Sequence, residues 1–150
     1  MKILVATDGS KHSEKAVEMT TNFRFPVPCE IKIVSVVETP VPINLDIYGG
    51  GYVPPTVELE KAARENAREV LEHAKRKILE AFSGENILIT TEVLNGSPES
   101  QIVEIAEKIQ ANLIIVGSHG YNTWERLLLG SVSDSVVHHA PCSVLVVRGT

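Results

Sequence analysis

Five short runs of the chain are almost wholly apolar, and between them apolar residues recur at three- and four-residue spacing. The runs are KILVA (2–6), EIKIVSVV (30–37), ILITTEVL (87–94), NLIIVG (112–117) and SVLVVR (143–148). Their Ile and Val content suits a pleated, buried surface and predicts five strands. The stretches 13–23, 57–82, 100–110 and 132–139 carry helical spacing. In the longest, Ala63, Ala67, Val70, Leu71, Ala74, Ile78 and Phe82 trace one stripe, with charged residues opposite. Strands separated by helix-length segments predict parallel pairing, because a parallel neighbour requires a long crossover. The fold class is α/β.

The runs also differ among themselves. KILVA and NLIIVG are nearly unbroken, as expected where helices cover both faces of a sheet, whereas ITTEVL mixes in Thr and Glu as an edge strand does. The first and fourth strands are therefore placed centrally and side by side, in a doubly wound five-stranded parallel sheet. In such sheets a crevice opens at the carboxyl ends of the two strands where the winding reverses, and ligands bind there. The residues facing it are TDGS (7–10) and GSHG (117–120), more than a hundred positions apart in sequence.

Composition narrows the partners. The chain has 150 residues, 43% of them hydrophobic, which suits one domain with one ordinary core. A net charge of −5 without a basic cluster argues against nucleic acid. No apolar run approaches the roughly 20 residues that span a bilayer, and Met1-Lys2 leads straight into ILVAT, so a cytoplasmic protein with no membrane partner is expected. Cys29 and Cys142 lie far apart without CxxC spacing, which predicts reduced, buried thiols rather than a disulfide or zinc site.

The chemistry at the crevice follows from residue types. Gly117 and Gly120 leave no side chain where the chain turns off the fourth strand, so backbone can approach a ligand closely. Gly130, Ser131, Val132 and Ser133 open the last long helix, whose first amides lack internal acceptors and form a seat for phosphate oxygens. Between these anchors, Trp124 and Leu127 to Leu129 are expected to pack the connection onto the core. Asp8 offers a carboxylate to ribose hydroxyls or to a metal carried by phosphates, with a turn or helix-cap role as the alternative. There is no GxxxxGK[ST] and no GxGxxG after the first strand. A receiver-type phosphoacceptor site is excluded too, since Asn95-Gly96 follows the third strand and Arg148 ends the fifth.

Gly117-x-x-Gly120, nine residues, then Gly130-Ser131 matches the pattern G-2x-G-9x-G-[ST], and the agreement extends to ILVATDGS, RLLLGSVS and HAPCSVLVVR. On these motifs the chain resembles the universal stress protein family, specifically its ATP-binding branch. The resemblance implies strand order 3-2-1-4-5 in an adenine nucleotide alpha hydrolase-like fold, and ATP, with or without Mg2+, as ligand. It would put Thr7 and Asp8 near ribose and adenine and Val36 against adenine. Gly117, His119 and Gly120 would line ribose and phosphates, with Gly130, Ser131, Val132 and Ser133 on the phosphates. Two positions depart from the family: Tyr121 stands where a basic residue is common, and Ser143 where a proline often follows the cysteine.

Other features are read separately. His119 either donates to phosphate or covers its turn; His138 and His139 suit the negative pole of a helix end; His12 and His73 are expected to be solvated. Ser118, His119 and Asp8 do not make a hydrolytic triad, because adjacent residues point apart and no nucleophile elbow is present. The segment ETPVPINLDIYGGGYVPPT (38–56) is either a lid on the adenine side or a surface loop. The last strand has no helix after it, so its open edge predicts a twofold homodimer through 143–148, which the resemblance also implies. The function expected is ATP-dependent regulation through an unknown protein partner. The alternatives are a slow ATPase or nucleotidyl transferase, for which Arg126 is the one loose candidate finger, and a nucleotide-free dimeric interaction module.

Overall fold

The computed structural model describes residues 1–38, 57–119 and 129–148. Along them run β1 (Lys2–Ala6), α1 (Lys11–Asn22), β2 (Cys29–Val37), α2 (Val57–Ala81), β3 (Ile87–Asn95), α3 (Pro98–Ile109), β4 (Leu113–Gly117), α4 (Ser131–His139) and β5 (Ser143–Val147). The strands form one sheet in the expected order β3-β2-β1-β4-β5, and every pairing is parallel. β1 lies between its two partners in register, with Val5 opposite both Ile33 and Ile115.

Strand alternation divides the core into two layers. Ile3, Val5, Ile31, Ile33 and Ile115 pack with Ala16 and Val17 of α1 and with Leu71, Ala74 and Ile78 of α2. Leu4, Val34, Ile114 and Val116 face the other way, onto Ile102 and Ile105 of α3 and Val136 of α4. Burial of such side chains contributes about 1.5–3 kcal/mol each. Because both faces of β1 and β4 are covered, these two strands are the continuous apolar runs.

The helix boundaries differ from expectation for local reasons. α1 begins at Lys11, because Ser10 is its N-cap and accepts from the Ser13 amide at 3.3 Å. α3 begins at Pro98, whose missing amide suits the first helical position. In α2 the buried stripe starts only at Ala67, and Ala63 is exposed. A helix of 25 residues is about 37 Å long, and the nine-residue β2 beneath it about 30 Å, so one end of α2 overruns the sheet. No helix among the described residues is long and apolar enough to cross a membrane.

Candidate functional site

The switch point lies where expected, between the carboxyl ends of β1 and β4. On the β1 side the chain turns through Thr7, Asp8, Gly9 and Ser10 into α1. Gly9 adopts φ 79°, a left-handed conformation that glycine takes without strain. Strand alternation carries Thr7 to the α1 side, where it is only 5% exposed. Its hydroxyl pairs with Ser13 Oγ at 3.0 Å and accepts from the Gly9 amide at 3.2 Å. Asp8 Oδ1 accepts from the Ser10 amide at 2.9 Å, so one carboxylate oxygen performs the turn role named as the alternative. The buried hydroxyls of Ser10 and Ser13, unremarked in the sequence, are what fix this turn. The Ser-x-x-Ser spacing before an apolar helical stripe was their signal.

On the β4 side, Gly117 is a contact rather than an opening. A Cβ placed there would stand 2.7 Å from the carbonyl carbon of His12 and 2.8 Å from the Ser13 nitrogen. The backbone that approaches closely is therefore the first turn of α1. Ser118, 1% exposed, then connects three elements. Its amide donates to the Val147 carbonyl of β5 at 2.8 Å, and its carbonyl accepts from the Gly130 amide at 2.8 Å and from Ser133 Oγ at 2.9 Å. The two glycine turns are thus held together directly by backbone and hydroxyl. The packing role given to Trp124, Leu127 and Leu128 lies outside the described residues, as do Gly120, Tyr121 and Arg126; Leu129 is half-buried.

Gly130 is the N-cap of α4, with φ −65° and ψ 155° and no side-chain cap. The first intrahelical bond is from the Asp134 amide to the Gly130 carbonyl at 2.9 Å, so the amides of Ser131, Val132 and Ser133 are donors without an acceptor among the described residues. Ser131 is exposed and Val132 half-buried. Ser133 is 2% exposed and spends its hydroxyl on Ser118 and Gly130, which leaves its amide as its contribution. Val36 packs against the α3–α4 core layer, on the same side as α4. The edge thus brings together Asp8, Gly117, His119 and residues 130–133, with Val36 at the end of the neighbouring strand.

The histidines divide differently from expectation. His73, His138 and His139 are exposed, and the last two bond back through Nδ1 to the carbonyls of Asp134 and Ser135, both at 2.8 Å. His12 is half-buried beside His119 rather than solvated, because α1 starts two residues earlier than its apolar stripe and lies on Gly117. Burial pushes the Cys29 and Cys142 thiols above their ordinary range. A cleft of about 280 Å³ opens between α1 and α2, reaching Thr7 and Gly9 of the β1 turn, with Val17, Val70 and Ala74 as its apolar lining.

The sequence model of the universal stress protein family matches residues 1–148. A universal stress protein of Methanocaldococcus jannaschii, MJ0531, is 35% identical over 147 residues, covering 98% of this chain and 81% of that one. In the fold comparison, the universal stress protein UspA from Lactobacillus plantarum superposes with a TM-score of 0.78 at 25% identity, over 99% of this chain and 97% of that one. A universal stress protein in complex with cAMP gives a TM-score of 0.69, also at 25% identity, over 100% of this chain and 98% of that one.

Proposed function

Because the chain belongs to the universal stress protein family, we propose that it is an ATP-binding regulatory protein whose nucleotide state governs its contacts with a protein partner in the cytoplasm. The observation that carries this reading is the N-terminus of α4. Three amides without acceptors among the described residues stand at the switch point of the sheet, on a glycine cap that supplies no side-chain hydrogen bond. Such a terminus favours phosphate oxygens through both its hydrogen bonds and its dipole. The crystallised relative with cAMP extends the argument to adenine nucleotides as a class.

In this reading Ser131, Val132 and Ser133 hold the phosphates through their amides, and Gly130 caps the helix that presents them. Gly117, His119 and Gly120 border the ribose and phosphates, and Val36 borders the adenine. Thr7 supports the turn from beneath, and the Asp8 oxygen not engaged by Ser10 is the one available to a ribose hydroxyl or to Mg2+. A second copy pairs along β5, where Val144, Leu145 and Val146 are only half-buried on an edge strand. The interaction module without nucleotide has its own support: the hydrogens of Gly117 and Gly130 face backbone of this same chain, so those glycines serve the fold whatever binds nearby.

Isothermal titration with ATP and Mg2+ on the wild type and on Ser131→Pro separates the two. Ser131 is the first helical residue, where proline fits, and the extended backbone of Gly130 suits a residue before proline. The substitution removes one amide and leaves the helix. A charge-assisted hydrogen bond lost from the seat lowers affinity about ten- to a hundredfold. Affinity equal to wild type would move the phosphates away from α4. A wild-type protein that neither releases nucleotide on denaturation nor binds any would leave the interaction module.

A further inference from the structure

His12 and His119 come from different elements, the first turn of α1 and the turn after β4, and their ring centres lie 5.2 Å apart at an interplanar angle of 53°. That tilt is not a stack. Each ring also buries one nitrogen that has no hydrogen-bond partner among the described residues, Nδ1 of His12 and Nε2 of His119. Buried polar atoms are ordinarily paired, and two orphans on adjacent imidazoles point to a missing group that both of them bind. The other nitrogen of His119 is already engaged: Nδ1 lies 3.1 Å from Ser118 Oγ, on a residue that is 1% exposed.

That arrangement is the one a metal-bound imidazole adopts. One ring nitrogen is held by an outer partner, which fixes the ring and its tautomer, and the other presents a lone pair. In the tautomer in which Nδ1–H donates to Ser118 Oγ, Nε2 of His119 carries the lone pair that a metal takes. The spacing agrees as well. Imidazole nitrogens about 2.0–2.1 Å from a shared ion at the tetrahedral angle put the two ring centres about 5 Å apart.

We propose that His12 Nδ1 and His119 Nε2 are two ligands of a site for a borderline divalent transition ion of the zinc, nickel or copper class. Neutral imidazoles suit such ions and not hard Mg2+, which takes oxygen ligands. Among the described residues no group of three or more His, Cys, Asp or Glu side chains is assembled for a metal. Water or an oxygen anion that enters with the ion can complete its coordination. The close approach of α1 to Gly117 is what brings His12 to His119, so the site is built by packing rather than by a sequence motif. It shares His119 with the nucleotide site proposed above, but it does not require a nucleotide, and its test uses the metal alone.

The test is titration of chelator-treated protein with Co2+, followed by its visible ligand-field absorption, and with Zn2+ by calorimetry. One ion per chain is expected. His12→Gln and His119→Gln should each weaken it about tenfold or more with an unchanged melting temperature, while a His138→Gln/His139→Gln double variant retains it. A hundredfold excess of Mg2+ should not displace it. Substoichiometric Cu2+ added to the wild type gives a measurement free of any folding defect: the ring NMR signals of His12 and His119 should broaden before those of His73, His138 and His139. No stoichiometric binding, loss of the site in the double variant alone, displacement by Mg2+, or broadening confined to the other three histidines would overturn the assignment.

Discussion

Replacing Gly117 with alanine tests whether this glycine makes room for a ligand or for the protein itself. Its new Cβ would lie 2.7 Å from the His12 carbonyl carbon and 2.8 Å from both the His12 oxygen and the Ser13 nitrogen. Non-bonded carbons rest at about 3.5–4.0 Å, so the overlap is about 0.8 Å or more. All three contacts are backbone, and no rotamer change relieves them. The first turn of α1 must lift, yet it is fixed from below by the Thr7–Ser13 and Ser10–Ser13 bonds. Overpacking of this kind costs about 1–3 kcal/mol, and the rigid surroundings put the cost towards the top of that range. Alanine recovers about 0.4–1 kcal/mol by stiffening the unfolded chain. The net loss is about 2 kcal/mol, or about 4–8 °C in melting temperature for a chain of this size. Thermal unfolding followed by circular dichroism checks it. Gly130→Ala serves as the internal standard: its nearest contacts are 3.1 Å and 3.3 Å, which ask the neighbours to yield by only a few tenths of an ångström, and it should cost about half as much. Melting of Gly117→Ala within about 1 °C of wild type would refute the packing argument and return Gly117 to the ligand.

Two further expectations concern ionisable groups. The Ser97 hydroxyl first, and its own backbone amide second, hold the Glu99 carboxyl below its ordinary range. Its folded pKa therefore lies under the unfolded one, and the bond stabilises the fold above the carboxylate range and fades as pH falls through the folded value. Ser97→Ala should cost about 0.5–1 kcal/mol at neutral pH, with solvent screening allowed for, and almost nothing near pH 3; an equal loss at both would assign the effect to the cap alone. Cys29 is 1% exposed, with its thiol raised by burial, so a thiol reagent at neutral pH should modify it only as fast as the protein unfolds. Peptide mass mapping that finds Cys29 labelled ahead of Cys142 in the native state would contradict this.

The architecture was legible because periodicity reports burial. β1 and β4 were placed centrally and side by side because strands covered on both faces are apolar at nearly every position, whereas the full order 3-2-1-4-5 came from the family resemblance. Element ends were less legible. Lys11 and His12 belong to α1 but carry no apolar stripe, so the helix seemed to start where the stripe did. The same two-residue shift concealed the most specific feature of the crevice edge, the contact of His12 with His119 over Gly117. A motif gives the order of glycines along the chain, but not which of them touches distant backbone. Ser118 was hidden for a similar reason, because its three partners lie on β5 and α4 and nothing in the residue type announces them.

Ser118 joins two surfaces that have been treated separately. Its amide is bonded to the edge strand β5 and its carbonyl to the first turn of α4, so the margin where a second copy would dock and the terminus where a ligand would sit are joined through the two peptide groups that flank one residue. Any occupant of one that moves this residue changes the free energy of the other by the same amount, in both directions. In the proposed reading, self-association would then be a sensor in its own right. The amount of the protein in the cell would set its affinity for the ligand, and the ligand would in turn report on how crowded the protein is with copies of itself.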